Sequence, residues 1–283
     1  MAPALRLLLT AALFASGGAL IKSCDFPSLQ RAGMRAAIAA ATIFALLPEA
    51  RRWPNARILR IAPAYFGATC LFVVANTLTT AANAIFLQSA APLWLVLFGP
   101  WLLHEKPTRA DVVTLFGVGA GMALFFVAPA TVARTAPDPR LGDWFAIASG
   151  VSYALLLIGM RWLSRSGASE QCAAIAWGNL LTCPTAFLLM PLFGQEPIVG
   201  TMRDWTVMLV LGVFQVGLAY AILVRAIAHV PALRTSLIMM VEPVLNTLVT
   251  WLVHGEVPHW IAGLGGVLIL AAVLLGAMRR SGG

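Results

Sequence analysis

Long apolar stretches dominate this chain and leave it few possible folds. A bilayer hydrocarbon core about 30 Å thick is crossed by a helix of about 20 apolar residues. The stretches are continuous and lack the alternation of barrel strands, so they predict helices. Ten such stretches, numbered 1 to 10 in chain order, occupy residues 5–21, 32–47, 58–79, 81–103, 112–128, 144–163, 172–193, 205–228, 233–253 and 260–278.

The composition agrees with a chain that lies in lipid. Hydrophobic residues make up 60% of the chain, charged residues make up 11%, and the mean hydropathy is +0.87. A water-soluble surface needs a larger polar and charged share. The sequence therefore predicts an all-α integral membrane protein whose surroundings are the lipid bilayer.

Stretch 1 has some features of a secretory signal peptide, because Arg6 precedes its apolar run. It lacks a small-residue cleavage site followed by a polar mature start. Its removal would also leave nine stretches. We interpret stretch 1 as a membrane helix.

A short phrase occurs once in stretch 4 and once in stretch 9. Pro92 is followed thirteen residues later by Glu105, and Pro243 is followed at the same interval by Glu256, so the copies are 151 residues apart. The matching positions indicate a duplication of a five-helix unit. Because five is odd, the second unit must enter the membrane from the opposite side. The sequence thus predicts two inverted repeats of five helices each, an arrangement typical of transporters.

A linker separates the two predicted repeats. Residues 129–140 contain three prolines and no apolar period, which is the composition of a connecting segment. We assign residues 1–129 to the first repeat, 130–141 to the linker and 142–280 to the second repeat.

Basic residues are distributed unequally between the two sides of the predicted membrane protein. Both termini and the loops after stretches 2, 4, 6 and 8 together hold 13 of the 19 basic residues. The positive-inside rule therefore places both termini in the cytoplasm of a multi-pass protein, which we expect in the bacterial inner membrane. The six basic residues assigned to the other side are Lys22, Arg31, Arg35, Arg134, Arg140 and Arg203.

Neither nucleic acid nor a metal ion is a predicted partner. The net charge of +8 comes from basic residues in the predicted loops and termini of a membrane protein. They do not form the basic patch on a soluble fold that nucleic-acid binding needs. His254, Glu256 and His259 are close in sequence, but Pro258 interrupts them and their spacing is not that of a helical zinc site. The cysteines Cys24, Cys70, Cys172 and Cys183 show no paired spacing and are expected to be buried free thiols.

Catalysis is not predicted either. The candidate groups His104, Glu242 and His254 lie at different expected depths, whereas an active site needs converging groups. The chain shows neither a phosphate-binding loop nor a nucleophile elbow. We predict no enzyme activity and no cofactor.

Two strings of residues carry a family resemblance. The first half contains Ala81-Ala82, Pro92-Leu93 and His104-Glu105-Lys106-Pro107, and the second contains Ala219-Tyr220, Arg225-Ala226, Val230-Pro231-Ala232, Glu242-Pro243-Val244, Trp251 and Gly255-Glu256. These strings resemble the two repeats of the EamA-type transporters in the drug/metabolite transporter superfamily. The resemblance implies a ten-helix inner-membrane carrier, and a similar branch exports amino acids, including aromatic ones, and related metabolites. The first repeat departs from the pattern at Ala91, which matches Glu242, and at His104.

The resemblance also implies that stretches 3, 4, 8 and 9, with 1 and 6, line a central cavity. Polar side chains in apolar helices are tolerated where they meet another helix or a water-filled space. Each such residue is therefore a candidate for substrate binding or for an interhelical contact, and an aromatic ring can also serve in packing. The candidates are Asn76, Asn83, Gln88, Trp101, Tyr153, Gln215, Tyr220 and Asn246.

Glu242 is the one carboxylate well inside a predicted span. A charge there is costly unless it is neutralised, paired or hydrated. It could couple export to proton entry, or it could bond the backbone that Pro243 interrupts. The sequence leaves both roles open.

Pro92 and Pro243 each remove a helix hydrogen bond in the predicted mid-membrane region. We expect helices 4 and 9 to bend there and to open the two ends of the protein in turn. The expected protein is a monomeric exporter of amino acids or similar metabolites, with protons as a coupling ion if Glu242 titrates. Two alternatives remain: an exchanger of sugar phosphates or nucleotide sugars, which needs clustered cations in the cavity, and a channel or structural subunit.

Overall fold

The computed structural model describes residues 3–102, 109–129, 132–164, 168–227, 238–239 and 241–281. The described chain is helical, and its only β pairing is an isolated bridge between Ala133 and Ala136. The helices, in chain order, are α1 (Pro3–Ala15), α2 (Gly17–Lys22), α3 (Ser28–Leu46), α4 (Ala56–Phe66), α5 (Phe72–Leu78), α6 (Ala81–Gln88), α7 (Ala91–Leu102), α8 (Arg109–Val127), α9 (Pro139–Ser164), α10 (Ala168–Leu189), α11 (Met202–Val210), α12 (Ala219–Ile227), α13 (Val241–His254) and α14 (Trp260–Ser281).

Many of these helices join into longer apolar runs. Within the described residues, six runs are long and apolar enough to cross a membrane: Pro3–Lys22, Ala56–Leu78, Ala81–Leu102, Pro139–Leu163, Ser169–Phe193 and Met202–Ala226. Two shorter apolar helices, Val113–Val127 and Trp260–Leu275, accompany them. The prediction of a multi-pass helical membrane protein is confirmed. The count of ten crossings stays a prediction.

Each of the ten predicted stretches nevertheless overlaps described helix. Stretch 2 corresponds to α3, which carries Arg31 and Arg35 in its first half. Stretch 9 is described only from its middle onward, as α13, because residues 233–237 and 240 lie outside the described residues. The same holds for His104 and Glu105 at the end of stretch 4.

Side-chain caps fix where several helices begin. The Asn55 side chain accepts a hydrogen bond from the Ile58 amide at 3.0 Å at the start of α4. At the start of α11, Thr201 and Asp204 form a capping box with bonds of 3.3 and 2.8 Å. Such caps satisfy amides that have no partner within the helix.

At one end of the bundle, here called the Lys22 end, some helices end and others begin. The ends of α2 and α13 meet there through Ala19 and His254, whose ring nitrogen lies 2.9 Å from the Ala19 carbonyl. The end of α5 meets the beginning of α9, where Thr79 donates to Asp143 at 2.8 Å. The turn before α3 meets the beginning of α11, where the Asp25 amide donates to Asp204 at 2.8 Å.

Helices at matching positions of the two halves therefore run in opposite directions. Stretch 1 ends at the Lys22 end, whereas stretch 6 begins there. Stretch 3 ends there and stretch 8 begins there, while stretch 4 begins there and stretch 9 ends there.

Contacts between the halves are also reciprocal. The stretch 1 helix α1 packs against α12 of stretch 8, and α9 of stretch 6 packs against α5 of stretch 3. In the same way, α1 packs against α13 of stretch 9, and α9 packs against α6 of stretch 4. The matched pairs α3 with α10 and α8 with α14 complete the pattern.

A π-helical segment interrupts each of two matching runs. Gly67–Leu71 lies between α4 and α5 in stretch 3, and Leu211–Leu218 lies between α11 and α12 in stretch 8. The wider turn leaves carbonyls without their usual helical partners and often marks a functional site.

Small residues allow α8 and α14 to approach closely. A Cβ atom built on Gly265 would lie 2.6 Å from the Gly121 carbonyl, and one built on Gly121 would lie 2.8 Å from the Gly265 carbonyl. Neither position accepts a larger side chain without separating the helices. Close glycine contacts are a common way to pack helices in lipid.

The prolines of the repeated phrase occupy helix beginnings. Pro92 lies in the first turn of α7, directly after the helix is interrupted at Ser89 and Ala90, and Pro243 lies in the first turn of α13. Proline costs no hydrogen bond there, because first-turn amides lack helical partners. The expected loss of a mid-helix bond is thus wrong, although the chain does break beside Pro92. Pro139 likewise begins α9, within the segment assigned to the linker.

Candidate substrate site

Arg35 lies inside the helix bundle, two turns into α3, and its side chain is 5% exposed. Its guanidinium donates to Gln215 Oε1 at 3.4 Å and to the Thr69 carbonyl at 3.5 Å. Both distances are at the outer limit of a hydrogen bond. Among the described residues, Lys22 and Glu256 form the ion pair, and Arg35 has no carboxylate within 4 Å. The sequence counted Arg35 on the extracytoplasmic side, which stays a prediction, and did not anticipate that packing around α3 buries it.

The first π-helical segment supplies carbonyls to this region. The Thr69 carbonyl faces Arg35, and the neighbouring Ala68 carbonyl accepts from Gln88 Nε2 at 3.0 Å and from Ser149 Oγ at 2.9 Å. Gln88 Nε2 also lies 2.6 Å from Ser149 Oγ. The predicted site residue Gln88 therefore ties α6 to α9 and to the π-helical segment.

The Tyr65 hydroxyl connects α10 with the surroundings of Tyr220. Asn179 Nδ2 donates to the Tyr65 hydroxyl at 2.5 Å, and Tyr65 is 1% exposed. Because the Tyr65 oxygen accepts from Asn179, its own proton is available to a second partner, and the Tyr220 hydroxyl lies nearby. Gly178 makes room for the Tyr65 ring, since a Cβ there would lie 2.6 Å from its Cγ atom.

Tyr220 lies near both Arg35 and Glu242. Its hydroxyl is within electrostatic range of both Arg35 and Glu242, and Glu242 also interacts with Tyr153. The Tyr220 ring meets Phe14 edge-on, with 5.2 Å between ring centroids. Glu242 lies in the first turn of α13, where the helix dipole favours a negative charge. Tyr153, Tyr220 and Glu242 are each partly exposed, so the region is not fully packed.

We call this group the central cluster; its members are Arg35, Tyr65, Tyr153, Gln215, Tyr220 and Glu242. The sequence predicted Tyr153, Gln215, Tyr220 and Glu242 as site residues, and the structure brings these four together. It missed Arg35 and Tyr65. Two signals were available: Arg35 is a charge inside a predicted span, and all three tyrosines of the chain belong to the cluster.

Asn83 lies elsewhere, in a network at the Lys22 end. Its Nδ2 donates to Asp143 Oδ1 at 2.9 Å, and its Oδ1 accepts from the Thr80 hydroxyl at 3.0 Å. Asp143 is 2% exposed and also accepts from Thr79. Asn83 therefore compensates a buried carboxylate at the beginning of α9.

The structure does not bring the remaining three predicted site residues into the central cluster. Asn76 and Asn246 are 0% and 1% exposed, and each has one amide atom without a hydrogen-bond partner among the described residues. Asn246 packs directly against Gly18, where a Cβ would lie 2.3 Å from its Oδ1. Trp101, near the end of α7, is 78% exposed, which is too open for a packed cavity wall.

A buried ion pair closes the Lys22 end. Lys22 Nζ lies 2.8 Å from Glu256 Oε1, and the two side chains are 2% and 8% exposed. Lys22 also donates to the carbonyls of Thr79, at 2.8 Å, and Thr135. Glu256 Oε2 accepts from the Ala81 amide at 3.0 Å. The pair thus connects α2, the junction of α5 with α6, the linker and the residues after α13.

An open cavity of about 720 Å³ lies toward the opposite end, between α4 and α9. Leu155 on its wall follows Asp143 by twelve residues of α9, which is about 18 Å along the helix. Arg60, Arg161 and Trp162 also line it. By the charge distribution, this is the side predicted to face the cytoplasm.

The cysteines take no part in these sites. Cys24, Cys70 and Cys172 are buried free thiols, and Cys183 is half-buried and free. The prediction of buried free thiols is thus confirmed for three of the four.

A helical membrane fold with buried polar side chains defines the broad class as a multi-pass membrane protein. The family profile of the EamA-like transporters matches residues 2–127 and again residues 140–278. The chain belongs to the EamA-like transporter family, and it is a membrane transporter of small molecules.

Relatives and a solved structure agree with this membership. The pseudopaline exporter CntI of Pseudomonas aeruginosa is 26% identical over 279 residues, which cover 95% of this chain and 93% of that protein. An uncharacterized transporter of Archaeoglobus fulgidus is 25% identical over 223 residues, which cover 78% and 76%. One crystal structure superposes with a TM-score of 0.67 at 21% identity, covers 98% of both chains, and shows the fold alone.

Proposed function

We propose that this protein exports amino acids or related small metabolites across the bacterial inner membrane by alternating access. Membership of a transporter family supports carriage of a small molecule, and the related CntI is named as an exporter. The amino-acid class rests on the resemblance of the repeat motifs to an exporter branch and on the chemistry of the central cluster. Aromatic rings, amides and one cation suit a small polar metabolite with an apolar part.

One observation carries the proposal. The central cluster lies between an end that the Lys22–Glu256 pair closes and an end that holds an open cavity. A carrier must expose one binding site to one side at a time. An ion pair at one end and an open cavity toward the other support a state open to the cytoplasm.

The arrangement of the two halves allows a second conformation, open to the other side of the membrane. Matching helices run in opposite directions and contact each other reciprocally, which supports two inverted repeats at 1–129 and 142–280. Exchanging the conformations of inverted repeats exchanges the open and closed ends. We propose Pro92 and Pro243 as the hinges, because the chain is interrupted beside Pro92 and each begins a helical segment.

A substrate panel tests the proposed function. Purified protein in proteoliposomes is preloaded with unlabelled amino acids, nucleosides or organic cations, and the uptake of the same labelled compound is followed. We expect saturable counterflow for amino acids, because a carrier returns loaded in both directions. Empty liposomes are the control. Failure of every amino acid to exchange would overturn the amino-acid assignment, and flux without counterflow would favour a channel.

A further inference from the structure

The buried guanidinium of Arg35 makes few hydrogen bonds with the rest of the protein. The group has five N–H donors, and the described residues offer it two weak acceptors, at 3.4 and 3.5 Å. A buried, unpaired cation is costly in a protein interior and in a membrane. A purely structural arginine would be expected to have an anionic partner or several short bonds to carbonyls.

The surroundings of Arg35 hold it in place without neutralising it. Gln215 Nε2 donates to the Phe14 carbonyl at 3.3 Å, so its Oε1 is left facing Arg35. Gly17 has no side chain to displace this amide, since a Cβ there would lie 2.8 Å from Gln215 Nε2. The Thr69 carbonyl comes from the π-helical segment. Gln215 and Thr69 therefore orient a guanidinium whose other donors remain available.

We propose that Arg35 binds the carboxylate group of the transported substrate. A guanidinium pairs with a carboxylate through two parallel hydrogen bonds, which would satisfy the donors that the protein leaves open. Tyr220 lies within electrostatic range of Arg35 and is itself partly exposed, so the surroundings of Arg35 are not fully packed.

The charges nearby favour a monoanionic carboxylate over a phosphate. Phosphate sites use several cations, but Lys22 is held by Glu256 at the closed end. Glu242 lies within electrostatic range of Tyr220, and a carboxyl group there disfavours a dianion. This inference rests on the proposed transport function and narrows its substrate class.

Matched ligands test the proposal. Competition against labelled substrate compares L-phenylalanine with its amide and with phenylethylamine, which lacks the carboxyl group. The wild-type protein should prefer the carboxylate by about tenfold or more, the range of a charge-assisted bidentate contact. Arg35→Gln should lose this preference, and Arg35→Lys should keep part of it. Arg203→Gln, an exposed position in α11 outside the cluster, should behave like wild type.

A binding readout separates this inference from the transport proposal. The thermal midpoint of the purified protein is measured with each of the three ligands. Stabilisation by L-phenylalanine alone, lost in Arg35→Gln, supports the inference even where no amino acid exchanges. Equal effects of all three ligands on the wild-type protein would overturn it, and this outcome does not depend on whether Arg35→Gln folds. A folded Arg35→Gln protein that keeps the wild-type preference for the carboxylate would also overturn the inference.

Discussion

Arg35 and Glu242 enter the interior from α3 and α13, and Tyr220 lies within electrostatic range of both. The sequence identified Glu242 because a carboxylate in an apolar stretch is conspicuous. It did not identify Arg35, which lies near a predicted helix beginning where a basic residue is ordinary. Only the packing of α3 against α10 and the second π-helical segment shows that this position is buried.

Asn83 and Gln88 show why sequence alone does not separate substrate contacts from contacts between helices. An asparagine in an apolar helix has the same sequence signature whether it faces substrate or another helix. Asn83 pairs with Asp143, and Gln88 pairs with Ser149 and a carbonyl of the π-helical segment. Those partners come from distant parts of the chain, so sequence spacing does not predict them.

The proposed coupling of transport to protons can be tested at the single residue Glu242. We expect Glu242→Gln to abolish the stimulation of net export by an imposed pH gradient, because the amide carries no titratable proton. Counterflow should persist at a measurable rate, since exchange moves no net protons. The measurement is substrate flux in proteoliposomes with and without the gradient.

Glu49→Gln, an exposed carboxylate outside the central cluster, is the matched control and should retain the stimulation. A wild-type protein that shows no gradient effect, or a Glu242→Gln protein that keeps it, would contradict the coupling role.

Among the elements, the length and continuity of the apolar stretches predicted the helices well, because a membrane helix must satisfy its own backbone. The breaks within them were not predicted. Residues 67–71 and 211–218 read as continuous apolar helix, yet both are π-helical. The ion pair was also missed, since Lys22 and Glu256 belong to different repeats and nothing local links them.

The Lys22–Glu256 ion pair joins several helices, so its effect on stability can be predicted. Breaking a buried pair leaves one uncompensated charge, at a cost of about 3–5 kcal/mol in folded proteins, whereas removing both charges costs less. We therefore expect Lys22→Gln and Glu256→Gln each to lower the thermal midpoint more than the double variant does. Differential scanning measurements on the purified proteins would show this order.

The matched control removes one exposed positive charge and one exposed negative charge, in the double variant Arg203→Gln/Glu49→Gln. These two residues form no ion pair with each other in the described structure. The control variant should change the midpoint little. Additive losses in the Lys22 and Glu256 double variant would mean that the two charges do not depend on each other.

At the scale of the whole molecule, the duplicated phrase predicted two halves of opposite orientation, and the directions of matching helices support that arrangement. The sequence could not tell which end is closed, because that depends on contacts between halves. In the structure the Lys22–Glu256 pair lies at one end and an open cavity lies toward the other, and we propose that the Lys22 end is the closed one.

Two cysteine reporters can follow the two ends. Cys24 lies in the turn after α2 at the Lys22 end, is 2% exposed, and burial raises the pKa of its thiol to about 11. Few thiolates are present near pH 8, so labelling by an impermeant maleimide should be slow while this end is closed. Leu155→Cys in a cysteine-free protein reports on the open cavity.

The most direct test of alternating access compares these two labelling rates in the wild-type background and in Lys22→Gln/Glu256→Gln. The first reporter is a protein in which Cys70, Cys172 and Cys183 are replaced by Ala. Removing the pair should open the Lys22 end, so labelling of Cys24 should rise while labelling of Leu155→Cys falls. A rise at both reporters, or no change at Leu155→Cys, would contradict a carrier that exposes one central site to one side at a time.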